Sequence, residues 1–231
     1  SFLLAHDYPI QIIDALGEDP HEINPFKKGS FLRGLKISEI INRIDSDTHL
    51  VGISNLFSFA YPAVEVLCQE IRRVYPEKKI VLGGPHPSAL YAEILKNVPA
   101  VDFIAIGEGE ESLLGLLEYL GGELELNELS GVATRDESGD IIVLKSSKRI
   151  KNLNKDNIPF PARHLLPMEN YIQAQEGHGP SSGRWTSILS SRGCPYGCTF
   201  CESRRTAWIA RTPKDVVDEM EYCLQEWGIN E

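Results

Sequence analysis

Between residues 10 and 120 short apolar, β-branched runs alternate with stretches of helical period, and this alternation constrains the fold more than any other feature. Residues 10–14, 50–54, 79–84 and 102–106 each read as a buried strand. Between them, Ile37, Ile40, Ile41 and Ile44 recur at helical spacing. Residues 62–75 place Val64, Leu67, Cys68 and Ile71 on one helical face, and further helices are expected over 88–96 and 113–120. Strands alternating with helices at this spacing predict an α/β fold, a parallel sheet covered on both faces.

Beyond Gly121-Gly122 the texture changes. Residues 131–134 and 141–144 flank Asp136-Glu137-Ser138-Gly139-Asp140 and read as a β-hairpin. A connector over 151–184 follows, marked by Pro159, Pro161, Pro167 and Pro180. Its Ile158, Phe160, Leu165, Leu166, Met168 and Tyr171 are too apolar for a free tether. A strand is expected over 185–189. A helix then opens at Thr212-Pro213, where threonine caps and proline occupies the first turn, with Val216, Val217, Met220, Cys223 and Leu224 as its buried face.

Between that strand and that helix, three of the five cysteines fall within eight residues: Cys194, Cys198 and Cys201, spaced C-x3-C-x2-C. Gly193, Pro195 and Gly197 keep the backbone in turns, so no helix or strand separates the three sulfurs. A loop this short can wrap its thiolates round one metal centre. A structural zinc site would show C-x2-C pairs and a fourth ligand. Here no second pair exists, and Cys223 reads as packing on a helix. Three close cysteines also leave one unpaired in any disulfide scheme. Three ligands on a cubane iron–sulfur cluster, normally held by four, leave one iron open for another molecule.

C-x3-C-x2-C with an aromatic residue before its last cysteine resembles the motif of the radical SAM superfamily, and Tyr196 and Phe200 match its preferences. The resemblance implies a [4Fe-4S] cluster on Cys194, Cys198 and Cys201, with S-adenosylmethionine chelated at the fourth iron. Reductive cleavage would yield methionine and a 5′-deoxyadenosyl radical. By the same analogy the backbone at Phe200 lies beside the adenine, and Tyr196 belongs to the same surroundings.

Three loops of the first domain end strands in the manner of a ligand edge: Ser54-Asn55-Leu56, Gly83-Gly84-Pro85-His86 and Gly107-Glu108-Gly109-Glu110. A dinucleotide reading of the last fails, because the third glycine is missing and the acids would repel a pyrophosphate. Together the loops resemble the cobalamin-binding domain that precedes the barrel in one class of radical SAM proteins. In that pattern Ser54, Leu56, Gly83 and Gly84 contact the dimethylbenzimidazole tail, and the Gly107-Glu108 turn belongs to the same edge. The D-x-H-x-x-G lower-ligand motif is absent, and His6 and His86 stand at non-matching positions. The implied architecture is a Rossmann-like parallel sheet of the B12-binding type with a C-terminal hairpin (1–146), a connector (147–184) and the first βα unit of a radical SAM (partial TIM) barrel (185–231). A sheet of order 2-1-3-4-5 would lack its central strand, and one βα unit cannot close a barrel. The sequence is therefore expected to be an excerpt of a longer protein, cut at both ends.

The activity this implies is reductive cleavage of S-adenosylmethionine followed by methyl transfer from cobalamin to an unactivated carbon of a small-molecule or natural-product substrate. Flavodoxin or ferredoxin would be the electron donor. Alternatives on the same parts are cyclisation, rearrangement or methylthiolation, the last needing three further amino-terminal cysteines where only Cys68 precedes the motif. A non-catalytic cobalamin or metal sensor is the remaining alternative, and an open iron site has no evident use there. A net charge of −10 argues against a nucleic-acid surface. Arg204-Arg205 and the lysines of 145–151 read as solvated faces. No apolar run reaches the roughly 18 residues of a membrane helix, and five cysteines without an even framework point to the reducing cytoplasm.

Overall fold

The structure, a computed structural model, describes residues 1–27, 29–145, 150–174, 183–201 and 206–231. Arg204, Arg205, Lys148, Arg149 and the connector's Pro180 lie outside the described residues. The chain divides into two compact units, residues 37–149 and residues 1–36 with 150–231.

The second segment of chain forms a mixed α/β unit, as the alternation demands. Its elements follow an antiparallel pair, β1 (Ile23–Pro25) and β2 (Phe31–Arg33), that belongs to the other unit. In order they are α1 (Ile37–Asn42), β3 (Leu50–Ser54), α2 (Tyr61–Val74), β4 (Lys79–Gly83), α3 (Pro85–Ala89) and α4 (Tyr91–Asn97). Then come β5 (Phe103–Ala105), α5 (Glu110–Leu120), β6 (Val132–Arg135) and β7 (Ile141–Leu144). The sheet order is β3-β4-β5-β6-β7, with β3, β4 and β5 parallel and the hairpin β6–β7 joined antiparallel to β5. Val81, Phe103 and Ala105 pack with Leu116 of α5, Leu129 and Val132 on one face. Ile80, Leu82 and Ile104, one residue out of step, point to the other face and are buried too. Each such side chain contributes about 1.5–3 kcal/mol by leaving water. The strands are therefore buried on both sides, which is why they read as continuous apolar runs.

Polar side chains lock the ends of the strands. Asp102 accepts from the Ile80 N–H at 2.8 Å and pairs with Arg72. Arg135 donates to the carbonyls of Val101 (2.7 Å), Val98 (3.0 Å) and Leu95, tying β6 to the end of α4. Gly139, at φ +86°, closes the hairpin turn, where Asp136 Oδ1 accepts from Ser138 and Asp140.

Two strand expectations fail. Residues 10–14 form no strand, and Ile12 is substantially exposed. Strand propensity needs a neighbouring strand to become structure. Here Asp14 instead bonds locally, accepting from the Gly17 N–H at 2.9 Å, and takes the Tyr171 hydroxyl at 2.7 Å. Asn170, beside Tyr171 on α6 (Met168–Ala174), donates to Gly17 O at 2.8 Å, so this stretch belongs to the unit of residues 150–231. Residues 185–189 are not a strand either.

The last elements are β8 (Ser191–Arg192), β9 (Ile209–Ala210) and α7 (Pro213–Trp227). Thr212 caps α7, its Oγ1 accepting from Asp215 N–H, with Pro213 in the first turn and Gly228 at φ +63° ending the helix. The buried face of α7 is not the expected apolar one. Asp215, Glu219 and Cys223, spaced i, i+4, i+8, are buried, whereas Val217, Met220 and Leu224 are exposed.

Candidate functional site

The parallel strands β3, β4 and β5 end at one edge, and the first three loops lie there. Ser54 ends β3 and is exposed. The Asn55 N–H donates to Gly83 O at 2.8 Å and its side-chain amide to Phe57 O at 3.1 Å. Leu56, Phe57 and Phe59 are exposed, with the two rings stacked at 5.5 Å. A Cβ added at Gly83 would lie 4.0 Å from Ala105 Cβ, an ordinary contact, so packing alone does not require glycine there. Gly84 holds φ +104°, and a Cβ on it would lie 2.6 Å from Asn55 O. Glycine is therefore required for the 54–56 and 83–86 turns to meet backbone to backbone. Gly107 (φ +82°) is exposed and donates its N–H to Ser88 Oγ at 3.1 Å. The Glu108 carbonyl accepts from Ser112 Oγ at 3.4 Å, and Glu110 and Glu111 occupy the first turn of α5, where carboxylates suit the helix dipole.

The same edge holds residues whose role sequence did not single out. Three buried polar atoms there, Asn55 Oδ1, the Tyr61 hydroxyl and His86 Nε2, have no hydrogen-bond partner among the described residues. His86 Nδ1 meets Ser58 Oγ at 2.9 Å, and its ring lies 4.6 Å from that of Tyr61. Burial lowers the His86 pKa, favouring the neutral ring, and pushes the Tyr61 hydroxyl up to about 12, chiefly by desolvation. Buried orphans are costly, about 1–3 kcal/mol each, and concentrate where a site has polar work to do.

The cysteine loop lies in the other unit. It leaves β8 and returns in β9, and the pairs Ser191–Ala210 and Arg192–Ile209 close its base. Gly193, at φ +89°, would put a Cβ 2.1 Å from Ala207 O, so this position too must be glycine. The Cys194 N–H donates to Thr206 Oγ1 at 2.9 Å and the Cys201 N–H to Cys198 O at 3.2 Å. Residues 202–205 lie outside the described residues. All five cysteines are free thiols, but in two classes. Cys68 and Cys223 are buried, Cys68 being pushed up to about 12 by burial and Cys223 raised for the same reason. Cys194 and Cys201 are half-buried and Cys198 is exposed. Tyr196 is exposed, and Phe200, at 91 %, more so. The loop carries its three sulfurs without gathering them: among the described residues no group of three or more His, Cys, Asp or Glu side chains is close enough to share a metal ion.

Behind the loop's base stands a charged cluster that apolar periodicity concealed. Arg211 Nε lies 2.6 Å from Asp215 Oδ2, and the same guanidinium pairs with Glu219. Arg163 lies 2.7 Å from Glu219 Oε1, and all four side chains are buried. Their sequence signal is the i, i+4 spacing of Arg211, Asp215 and Glu219 at the start of α7; Arg163 comes from elsewhere in the chain.

Residues 6–117 match the family described as B12 binding domain. The cytidylyl-2-hydroxyethylphosphonate methyltransferase of Streptomyces wedmorensis is 30% identical over 253 residues, covering 98% of this chain and 47% of that protein. The anaerobic magnesium-protoporphyrin IX monomethyl ester cyclase of Rubrivivax gelatinosus is 29% identical over 199 residues, covering 84% of this chain and 34% of the cyclase. Among solved structures, the cobalamin-dependent S-adenosylmethionine radical enzyme OxsB with aqua-cobalamin bound superposes with a TM-score of 0.66 at 26% identity, covering 82% of this chain and 25% of OxsB. The chain thus spans less than half the length of these relatives. No helix among the described residues is long and apolar enough to cross a membrane. By its matched domain, its relatives and its fold, the chain is similar to the cobalamin-dependent radical SAM proteins.

Proposed function

We propose that this chain carries two cofactor sites of an enzyme that cleaves S-adenosylmethionine at a [4Fe-4S] cluster and transfers a methyl group by way of cobalamin. The observation that carries the reading is the division of the cysteines. Three accessible free thiols sit on one loop, while the other two are buried packing, in a chain whose residues 6–117 match a B12-binding domain.

The donor set suits the cluster. Cys194, Cys198 and Cys201 are committed to no disulfide and no core, and three thiolates leave one iron for the amino and carboxylate groups of S-adenosylmethionine. The carboxyl edge suits cobalamin, whose periphery bears amides and a nucleotide tail. Gly83 is a glycine that packing alone does not require, Leu56, Phe57 and Phe59 offer apolar surface, and Asn55, Tyr61 and His86 hold unspent hydrogen-bonding atoms beside it. When bound, the cluster supplies the electron for reductive cleavage and the cobalamin supplies the methyl group.

The chain's own residues bind and orient. Ser54, Leu56, Gly83, Gly84, Gly107 and Glu108 would line the cobalamin edge. Tyr196 and Phe200, exposed on the cysteine loop, would flank S-adenosylmethionine and shield it from water. A small-molecule substrate and a flavodoxin or ferredoxin donor complete the reading, with the cytoplasm as its setting. Cyclisation on the same parts is the second reading, favoured by the 29% identity to a cyclase.

Anaerobic reconstitution with iron and sulfide tests the proposal. It should give about four irons per chain and reductant-dependent 5′-deoxyadenosine, both lost in Cys198→Ala. Added cob(II)alamin should bind with a shifted electron paramagnetic resonance spectrum. A chain that takes up zinc but no iron–sulfur cluster sinks it.

A further inference from the structure

We infer that Arg211 and Arg163 are positioning residues for the cysteine loop, each clamping a backbone carbonyl of the segment that leads into it; the inference rests on the cluster reading above. Arg211 follows β9 directly, and its backbone N–H donates to Ser190 O at 2.9 Å. Its side chain donates to Leu189 O at 3.0 Å, so one residue holds two successive carbonyls at the loop's base. Arg163, in the turn before α6, donates to Ser187 O at 3.0 Å. Between them the two guanidiniums hold the carbonyls of Ser187 and Leu189, both in the segment that leads into the loop.

The carboxylates hold the forks in place. Asp215 takes Arg211 Nε at 2.6 Å, Glu219 takes Arg211 and Arg163, and Asp215 Oδ1 also accepts from the Lys155 N–H at 2.9 Å. Two cations and two anions are buried together, so salt screens them less than it would surface pairs, and Arg163 Nη1 and Glu219 Oε1 make no hydrogen bond among the described residues. A rigid base matters because three sulfurs of one loop would have to hold the cluster. Irons must draw three side chains together, and the fewer degrees of freedom the loop has, the less ordering that costs. Supporting residues of this kind tune how firmly a metal is held.

The test uses the intact protein, without oxygen, with the variants Arg211→Lys and Arg163→Lys. Lysine keeps a positive charge for Asp215 and Glu219 but lacks the planar fork that also reaches a carbonyl. After reconstitution with ferrous iron and sulfide, each variant should melt near the wild-type temperature yet surrender iron to a ferrous chelator roughly ten- to hundred-fold faster. Its reduced-cluster electron paramagnetic resonance lines should also broaden. The two variants unhook different carbonyls, so either one that folds decides the question. Wild-type iron release and line shape, with or without a lower melting temperature, assign the arginines to folding alone and overturn the inference. A wild-type chain that takes up no iron overturns the cluster reading and this inference with it.

Discussion

One guanidinium pairs with two buried carboxylates a helical turn apart: Arg211 Nε stands 2.6 Å from Asp215 Oδ2 and its other arm pairs with Glu219, which is 1% exposed. Breaking one partner of a buried pair leaves an uncompensated charge, at a cost of about 3–5 kcal/mol. Glu219→Leu should therefore destabilise the unit of residues 1–36 and 150–231 by that order in urea unfolding. Met220→Ser, one position on and exposed, should change stability by less than about 0.5 kcal/mol. The opposite ranking would restore the apolar face as the buried one.

Thiol chemistry should separate the cysteines cleanly. Burial raises Cys68 to about 12 and raises Cys223, so both are protonated and shielded at pH 8. Brief iodoacetamide treatment of cluster-free protein, read by peptide mass spectrometry, should label Cys198 first, then Cys194 and Cys201. Cys68 and Cys223 should react only after unfolding.

Gly84→Ala should cost about 2 kcal/mol or more, since φ +104° is strained for any side chain and the new methyl would meet Asn55 O at 2.6 Å. The change should weaken cobalamin binding, measured by titration calorimetry, because Asn55 and Leu56 must move away. Gly122→Ala, where nothing lies within 4 Å of the added Cβ, bears the same kind of backbone strain (φ +80°) and serves as control, with cobalamin affinity unchanged.

Acid should remove one surface contribution. The hydrogen bond from Arg184, above all other causes, holds the Glu169 carboxyl down to about 2, against an ordinary 4.5. A depressed carboxylate stabilises the fold above the unfolded value and stops doing so as pH falls through the folded one. Wild type should thus melt above Glu169→Gln at pH 7, with the gap closing between pH 4.5 and 2. A gap that persists at pH 2 would place the effect in packing.

Local chemistry made much of the candidate site legible as a set of residues. Cysteine spacing, the Gly83-Gly84 pair and the Thr212-Pro213 cap act over a few residues, where side-chain type and backbone freedom decide alone. The buried strands 79–83 and 103–105 announced themselves for the same reason, being apolar on both faces. Residues 10–14 misled, because their β-branched side chains record a preference while the Asp14–Tyr171 hydrogen bond records what was available to pair with.

By itself, the amino-acid sequence determined the α/β alternation, the three-thiol loop and the glycines that let turns approach each other, because each follows from neighbours along the chain. Only the tertiary structure decided that α7 turns its acids inward and leaves Val217, Met220 and Leu224 in solvent. That choice depends on Arg163 reaching, from some fifty residues upstream, the same spot as Arg211, which stands just before the helix. A buried cation needs a carboxylate more than an aliphatic side chain needs burial, and no periodicity within one helix reports the partner's charge.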